Sequence, residues 1–255
     1  MGLDIYFDKV KPGKGIDANN ISMLEKYRDE RFKENFSRKI NRIMARIRTA
    51  TSVTERTQLI DSIREYCAKC NLWEWKYEKI TAALSNAELE EEVKKLKRGV
   101  YARSDVYFRK VNFVYAFFAP YLEDERCIVT KDLVEELVEN CKQVIAAGQK
   151  AKVLNEKEEI NPLLYYQYKE GENWINITKE RRDEEEARIA KLTETLSTEW
   201  VELAEELLPT QAGFFFGSTD YSPYYLADVV DVKDQFTKLL ANWKEGEVVY
   251  NIMSW

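Results

Sequence analysis

Apolar and polar residues alternate through Leu3-Asp4-Ile5-Tyr6-Phe7-Asp8, the period-two pattern of a half-buried strand, and Lys11-Pro12-Gly13-Lys14-Gly15 then breaks it. From Ile21 the period changes. Ile21, Leu24, Phe32, Phe36, Ile40, Ile43, Met44 and Ile47 recur at helical spacing and predict one long amphipathic helix, capped by Asn19 or Asn20. Ser52 followed by Glu55 predicts a capping box for a second helix with Leu59, Ile60, Ile63 and Tyr66 on its buried face. Asn71 is the expected cap of a third, carrying Leu72, Trp75, Ile80, Leu84, Leu89, Val93 and Leu96, with a break at the box-like pair Ser85 and Glu88 and an end at Gly99.

Between Ser104 and Leu122 apolar residues crowd most of a helix circumference, including Val106, Phe108, Val111, Phe113, Val114 and Phe118, which predicts a central helix. Cys127-Ile128-Val129 predicts a strand. Thr130 should cap a helix through Leu133, Leu137, Cys141, Val144 and Ile145 that stops at Gly148. Leu164 to Tyr168 and Trp174 to Thr178 flank a Gly-containing loop at 169–173, a hairpin pattern. Thr178 opens a charged helix with Ile189, Leu192, Leu196, Trp200, Leu203 and Leu207, ended by Pro209. Ala212 to Phe216 reads as a strand, Ser222-Pro223 as the cap and first turn of a helix over Tyr225 to Trp243, and Glu247 to Ile252 as a last strand.

The fold class that follows is α+β and mostly helical, with long antiparallel helices packed on a small mixed or antiparallel sheet. Its strands would be the first one, the Ile128 segment, Phe214 to Phe216 and the last one, so the first and last strands share one sheet. The 255 residues suggest a single domain over 1–255, with a helical insertion at 16–100 and a hairpin-plus-helix insertion at 150–204.

Composition removes several chemistries. There is no histidine, so no Ser-His-Asp or Cys-His machinery and no imidazole zinc site is available. The Cys67-Ala68-Lys69-Cys70 pair lacks a second pair for zinc and a βαβ context for redox work, and Cys127 and Cys141 stand apart, so reduced thiols are expected. No metal site is assigned, and no cofactor is readable. The net charge of -6 opposes general attraction to nucleic acid or anionic lipid. Without a secretory signal or a spanning apolar run, the expected location is the cytoplasm, with no membrane partner. One helix departs from the acidic balance: Arg31, Arg38, Arg42 and Arg46 form a basic row suited to phosphate or an acidic protein, although most such faces are merely solvated.

The segment from Glu205 to Tyr225, Glu-Glu-Leu-Leu-Pro-Thr-Gln-Ala-Gly-Phe-Phe-Phe-Gly-Ser-Thr-Asp-Tyr-Ser-Pro-Tyr-Tyr, is too particular to arise from patterning. With Met1-Gly2-Leu3-Asp4, Tyr107-Phe108-Arg109-Lys110-Val111-Asn112, Thr130-Lys131-Asp132-Leu133 and Ser254-Trp255, it resembles a family of small phage- and prophage-associated bacterial proteins. The chain departs from that family after Asn112, where Val114-Tyr115-Ala116-Phe117-Phe118 stands in place of a histidine and tryptophan. The resemblance implies an accessory role in a phage or mobile element and no particular reaction.

Two candidate sites follow. Arg109, Lys110 and Asn112, on the predicted central helix, would meet Asp4 or Asp220 in a polar pocket. Ser218, Thr219, Asp220, Tyr221 and Tyr224 would form a turn and a tyrosine-lined groove suited to a partner. Gly217 is followed by no lysine, so a P-loop is disfavoured. The leading expectation is a macromolecule-binding protein, with a protein as partner and local nucleic-acid contact second. The alternative is a small carboxylate- and Arg-based enzyme acting on a nucleotide or other phosphorylated molecule. A third is a homo-oligomer assembled through the helical insertion.

Overall fold

The structure, a computed structural model, describes residues 2–70, 72, 77, 79–80, 85–150, 167–170, 173–176, 178, 180, 183–184 and 198–255. The chain is α+β and mostly helical, and it divides into two compact units, Met1–Lys9 with Asp105–Trp255 and Val10–Ser104. Among the described residues no helix is long and apolar enough to cross a membrane.

The first unit is built on a four-stranded sheet in the order β2-β1-β6-β3, where β1 is Asp4–Val10, β2 Val106–Arg109, β3 Arg126–Val129 and β6 Val248–Ser254. β1 runs antiparallel to β2, with Asp4 opposite Arg109, and β3 antiparallel to β6. The first and last strands are therefore central neighbours, as their patterns predict. Leu3 just before β1 and Ile5 and Phe7 on it are fully buried, as is Val249 on β6, while Asp4 and Tyr6 lie on the opposite face. Asn251 donates from Nδ2 to the Tyr6 carbonyl at 3.0 Å, a side-chain tie between the two central strands.

Two strand assignments differ from the sequence reading. The predicted helix from Ser104 is instead β2, followed by a short helix α4 (Asn112–Phe118) and a 3-10 turn (Ala119–Tyr121). Val106 and Phe108 face the core while Tyr107 and Arg109 are exposed, a period of two that the density of apolar residues conceals. Phe214 to Phe216 form a turn, not a strand, because Phe216 N–H bonds back to the Gly213 carbonyl at 3.2 Å and Gly217 takes a φ of +94°. The fourth strand is thus β2.

Over the core-facing side of the sheet lie α5 (Lys131–Lys150), α6 (Thr198–Leu207) and α7 (Pro223–Ala241). Ser222 caps α7 from its side chain, with Pro223 in the first turn, as the sequence predicts. Gly148 does not end α5. A Cβ there would lie 2.7 Å from Leu226 Cδ1 and 2.9 Å from Trp200 Nε1, so this glycine lets α6 and α7 approach α5 closely. Trp200 is buried in that contact and donates from its indole to the Val144 carbonyl at 3.2 Å. β4 (Gln167–Glu170) and β5 (Asn173–Asn176) pair antiparallel where a hairpin is expected, with Glu170 opposite Asn173, so the pairing includes positions expected in the loop. Residues 151–166 and 185–197, with the expected Ile189, Leu192 and Leu196 positions, lie outside the described residues.

The second unit is helical: α1 (Ile21–Thr49), α2 (Val53–Lys69) and α3 (Asn86–Gly99). Asn20 caps α1 by accepting from Met23 N–H, Ser52 caps α2, and Ser85 with Glu88 forms a complete capping box on α3. Phe36 stacks on Tyr66, and Arg48 meets Glu90 while Lys97 meets Asn41, so α2 and α3 each run antiparallel to α1. The expected cap Asn71 and the Trp75 and Leu84 positions lie outside the described residues. Phe36, Ile40, Ile47, Ile63, Leu89 and Val93 make a core separate from that of the sheet unit.

Candidate functional site

The segments singled out in the sequence converge on one loop, Gln211–Tyr221. Leu3 N–H donates to the Phe215 carbonyl at 3.0 Å, and Lys110 N–H donates to the Leu3 carbonyl at 2.7 Å. Asn112 is buried and gives its Nδ2 protons to the Ser218 carbonyl at 2.7 Å and the Phe216 carbonyl at 3.4 Å. Gly217 sits against the Lys110 backbone so closely that a Cβ would be 3.1 Å from the Lys110 carbonyl oxygen. Lys110 itself has a φ of +60°, which turns the chain from β2 into α4. From the other side Trp255 packs edge-on against Phe216 and Tyr115, with ring centroids 5.5 and 5.3 Å away.

The second half of the loop is tied to the end of α6. Thr210 N–H donates to the Tyr221 hydroxyl at 3.1 Å, and the Thr210 hydroxyl donates to the Thr219 carbonyl at 3.1 Å. Tyr225 is buried and donates to the Leu208 carbonyl at 2.8 Å, with Tyr221 edge-on at 4.9 Å. Ser218 donates from its hydroxyl to Asp220 Oδ2 at 2.8 Å and accepts from Asp220 N–H at 3.1 Å, a local turn that engages both residues. Tyr224 is half-buried at the start of α7.

This framework presents one large side chain to solvent. Phe214 is 95% exposed, with Phe215 edge-on beside it at 4.7 Å and Trp255 43% exposed at the loop base. Phe214 is the residue the sequence reading missed as functional. Gly213 and Gly217 on either side were the available signal, since paired glycines flank turns better than strands.

Of the residues expected to share a pocket, Asp4 and Arg109 face each other across the β1–β2 ladder, while Asp220 is engaged by Ser218 in its own turn. Arg109 closes β2 instead of lying on a helix, and among the described residues its guanidinium makes no ion pair with either carboxylate. Asn112 faces inward as a brace. Asp4 accepts a 2.6 Å hydrogen bond from the Tyr107 hydroxyl on the outer face of the sheet. Burial first, then that bond and the Asp4 charge, push the Tyr107 phenol up to about 12, so it serves there as a donor. All four cysteines are free, and burial pushes Cys67, Cys127 and Cys141 up to about 12, far from thiolate reactivity at neutral pH.

The basic row keeps its place on the exposed side of α1, with two members engaged locally: Arg31 donates to the Tyr27 hydroxyl and Arg38 pairs with Glu34. Arg42 and Arg46 are exposed.

One carboxyl is tuned by the packing. Burial, and then the charge of Asp231, raise Asp228 on α7 to about 7. The folded state therefore holds a proton that the unfolded chain releases near the ordinary value of 3.8. Stability from this group is complete below that value and is lost as pH rises towards 7, after which it is flat. Melting temperatures measured across this window should fall less steeply in Asp228→Asn than in the parent. Parallel curves would show that another group sets the slope.

Comparison of the chain with protein-family models, with curated proteins and with solved structures gives no match. The site is therefore read from its geometry.

Proposed function

We propose that the protein acts by binding another protein, with the loop Gln211–Tyr221 as the contacting element and Phe214 as its anchor. The observation that carries this reading is a phenylalanine 95% exposed on a loop fixed to the core from three sides. Burying such a side chain in a partner's pocket is worth about 1.5–3 kcal/mol from apolar area alone. A loop already held in shape loses little conformational freedom on docking, so more of that gain remains as affinity. Ser218, Thr219 and Asp220 supply a polar, acidic rim around the aromatic tip. The partner is thus expected to offer an apolar pocket edged by donors or a basic residue. Sequence resemblance to phage-associated bacterial proteins supports a phage or mobile-element setting in the bacterial cytoplasm.

The test compares tagged parent and Phe214→Ser proteins as baits in a bacterial lysate, with bound proteins quantified. A companion held by the parent should fall by roughly 30-fold in affinity with the variant, as expected for an anchor worth about 2 kcal/mol. The melting temperature should not change, because Phe214 contributes nothing to the core. Equal retention of every companion by both baits would overturn the proposal.

A further inference from the structure

A second feature lies wholly within the helical unit. α1 and α3 enclose an open cleft of about 530 Å³, a volume in the range of small-molecule sites. Its wall on α3 carries Lys94, Lys97 and Arg98, spaced so that one turn presents all three, and Arg48 reaches it from α1. Glu90 and Glu91 supply the acidic charge, so cations outnumber carboxylates by four to two in a chain whose net charge is -6.

Much of the acidic charge is already used. Arg48 Nε donates to Glu90 Oε1 at 2.9 Å, while Lys97 donates to the neutral Asn41 amide oxygen and, among the described residues, forms no ion pair. Lysines in the last turn of a helix are favoured by the helix dipole, which accounts for Lys97 and Arg98. Arg48, in the last turn of α1 and paired with Glu90, adds a further cation to the same cleft from another helix. The crowding has a consequence: burial first, and Arg48 second, lower the Lys97 pKa. An anion in the cleft would relieve the repulsion, and Lys94 and Arg98, both exposed, stand at its mouth.

We infer that the cleft between α1 and α3 binds a phosphate group, held by Arg48, Lys94, Lys97 and Arg98. This site is separate from the Phe214 loop and does not depend on it. A free phosphate ester and the phosphate of a nucleic-acid strand share the chemistry.

The experiment titrates the full chain calorimetrically with inorganic pyrophosphate and, separately, with a single-stranded oligonucleotide of about 20 nucleotides at low salt. Lys94→Gln/Arg98→Gln removes two exposed cleft charges without disturbing the core. Lys26→Gln/Lys39→Gln removes the same charge from exposed positions of α1 outside the cleft. Binding of either probe should weaken at least roughly tenfold in the cleft variant and less than about twofold in the other. Pyrophosphate binding without oligonucleotide binding would assign the site to a small phosphate ester. Oligonucleotide binding that pyrophosphate displaces would assign it to a strand. No binding of either probe, or equal losses in the two variants, would overturn the inference.

Discussion

Phe7→Ala is expected to destabilise the sheet unit by about 3–5 kcal/mol, the range for removing a buried aromatic ring. Phe7 is fully buried on β1, and its ring centroid lies 4.8 Å from Phe236 on α7, 5.1 Å from Phe118 on α4 and 6.4 Å from Phe108 on β2. Each neighbour is fixed by its own element, so the cavity cannot close by the shift of one segment. Against a typical total of about 5–15 kcal/mol, such a loss brings the unit close to unfolding. The urea midpoint should fall sharply with an unchanged slope. A midpoint equal to the parent's would mean that Phe7 is not at the centre of this core.

Gly217→Val is expected to cost roughly 2–3 kcal/mol and to weaken partner binding although Phe214 is untouched. Two effects act together. A φ of +94° is denied to a β-branched side chain, and the new Cβ would meet the Lys110 carbonyl oxygen at 3.1 Å and the Lys110 Cβ at 3.2 Å. Lys110 is itself held at positive φ between β2 and α4, so it has little room to retreat. The loop must then leave its seat, and the Ser218 carbonyl would lose the Asn112 amide. Asn112→Ala should act in the same direction by removing that donor from a buried position. Thermal unfolding and companion retention measured on the same preparations check both. Unchanged retention in Gly217→Val, beside loss in Phe214→Ser, would show that the bracing of the loop is irrelevant to binding.

Local signals were legible where period and cap agreed. The stripes of α1 and α2 coincide with the caps Asn20 and Ser52, and Ser222-Pro223 fixes the start of α7. The alternation over Leu3 to Phe7 marked β1, and the sharing of one sheet by β1 and β6 was legible as well. The Val106 to Phe118 stretch was not, because a short edge strand running into a helix that is also buried leaves few polar positions to reveal the change of period. Gly148 shows a second limit: its reason is the approach of Leu226 and Trp200, which are distant in sequence.

The candidate site was legible in membership and not in roles. Lys110, Asn112, Ser218, Asp220 and Tyr221 were all picked out, yet Asn112 and Tyr221 act as braces, and Arg109 faces Asp4 from a strand instead of a helix. The exposure of Phe214 depends on which way the turn closes, a three-dimensional property that three consecutive phenylalanines cannot disclose. Nor could sequence spacing bring Arg48 to Lys97, since α1 and α3 meet only after α2 has folded back.

The proposed docking of a partner on Phe214 can be tested at that residue. The most direct measurement places a photo-crosslinking amino acid at position 214, and in a control at Val53, which is 83% exposed in the helical unit, and irradiates each in bacterial lysate. The account predicts one discrete protein adduct from position 214 and none of that mass from position 53. No adduct at 214, or the same products from both positions, would contradict it.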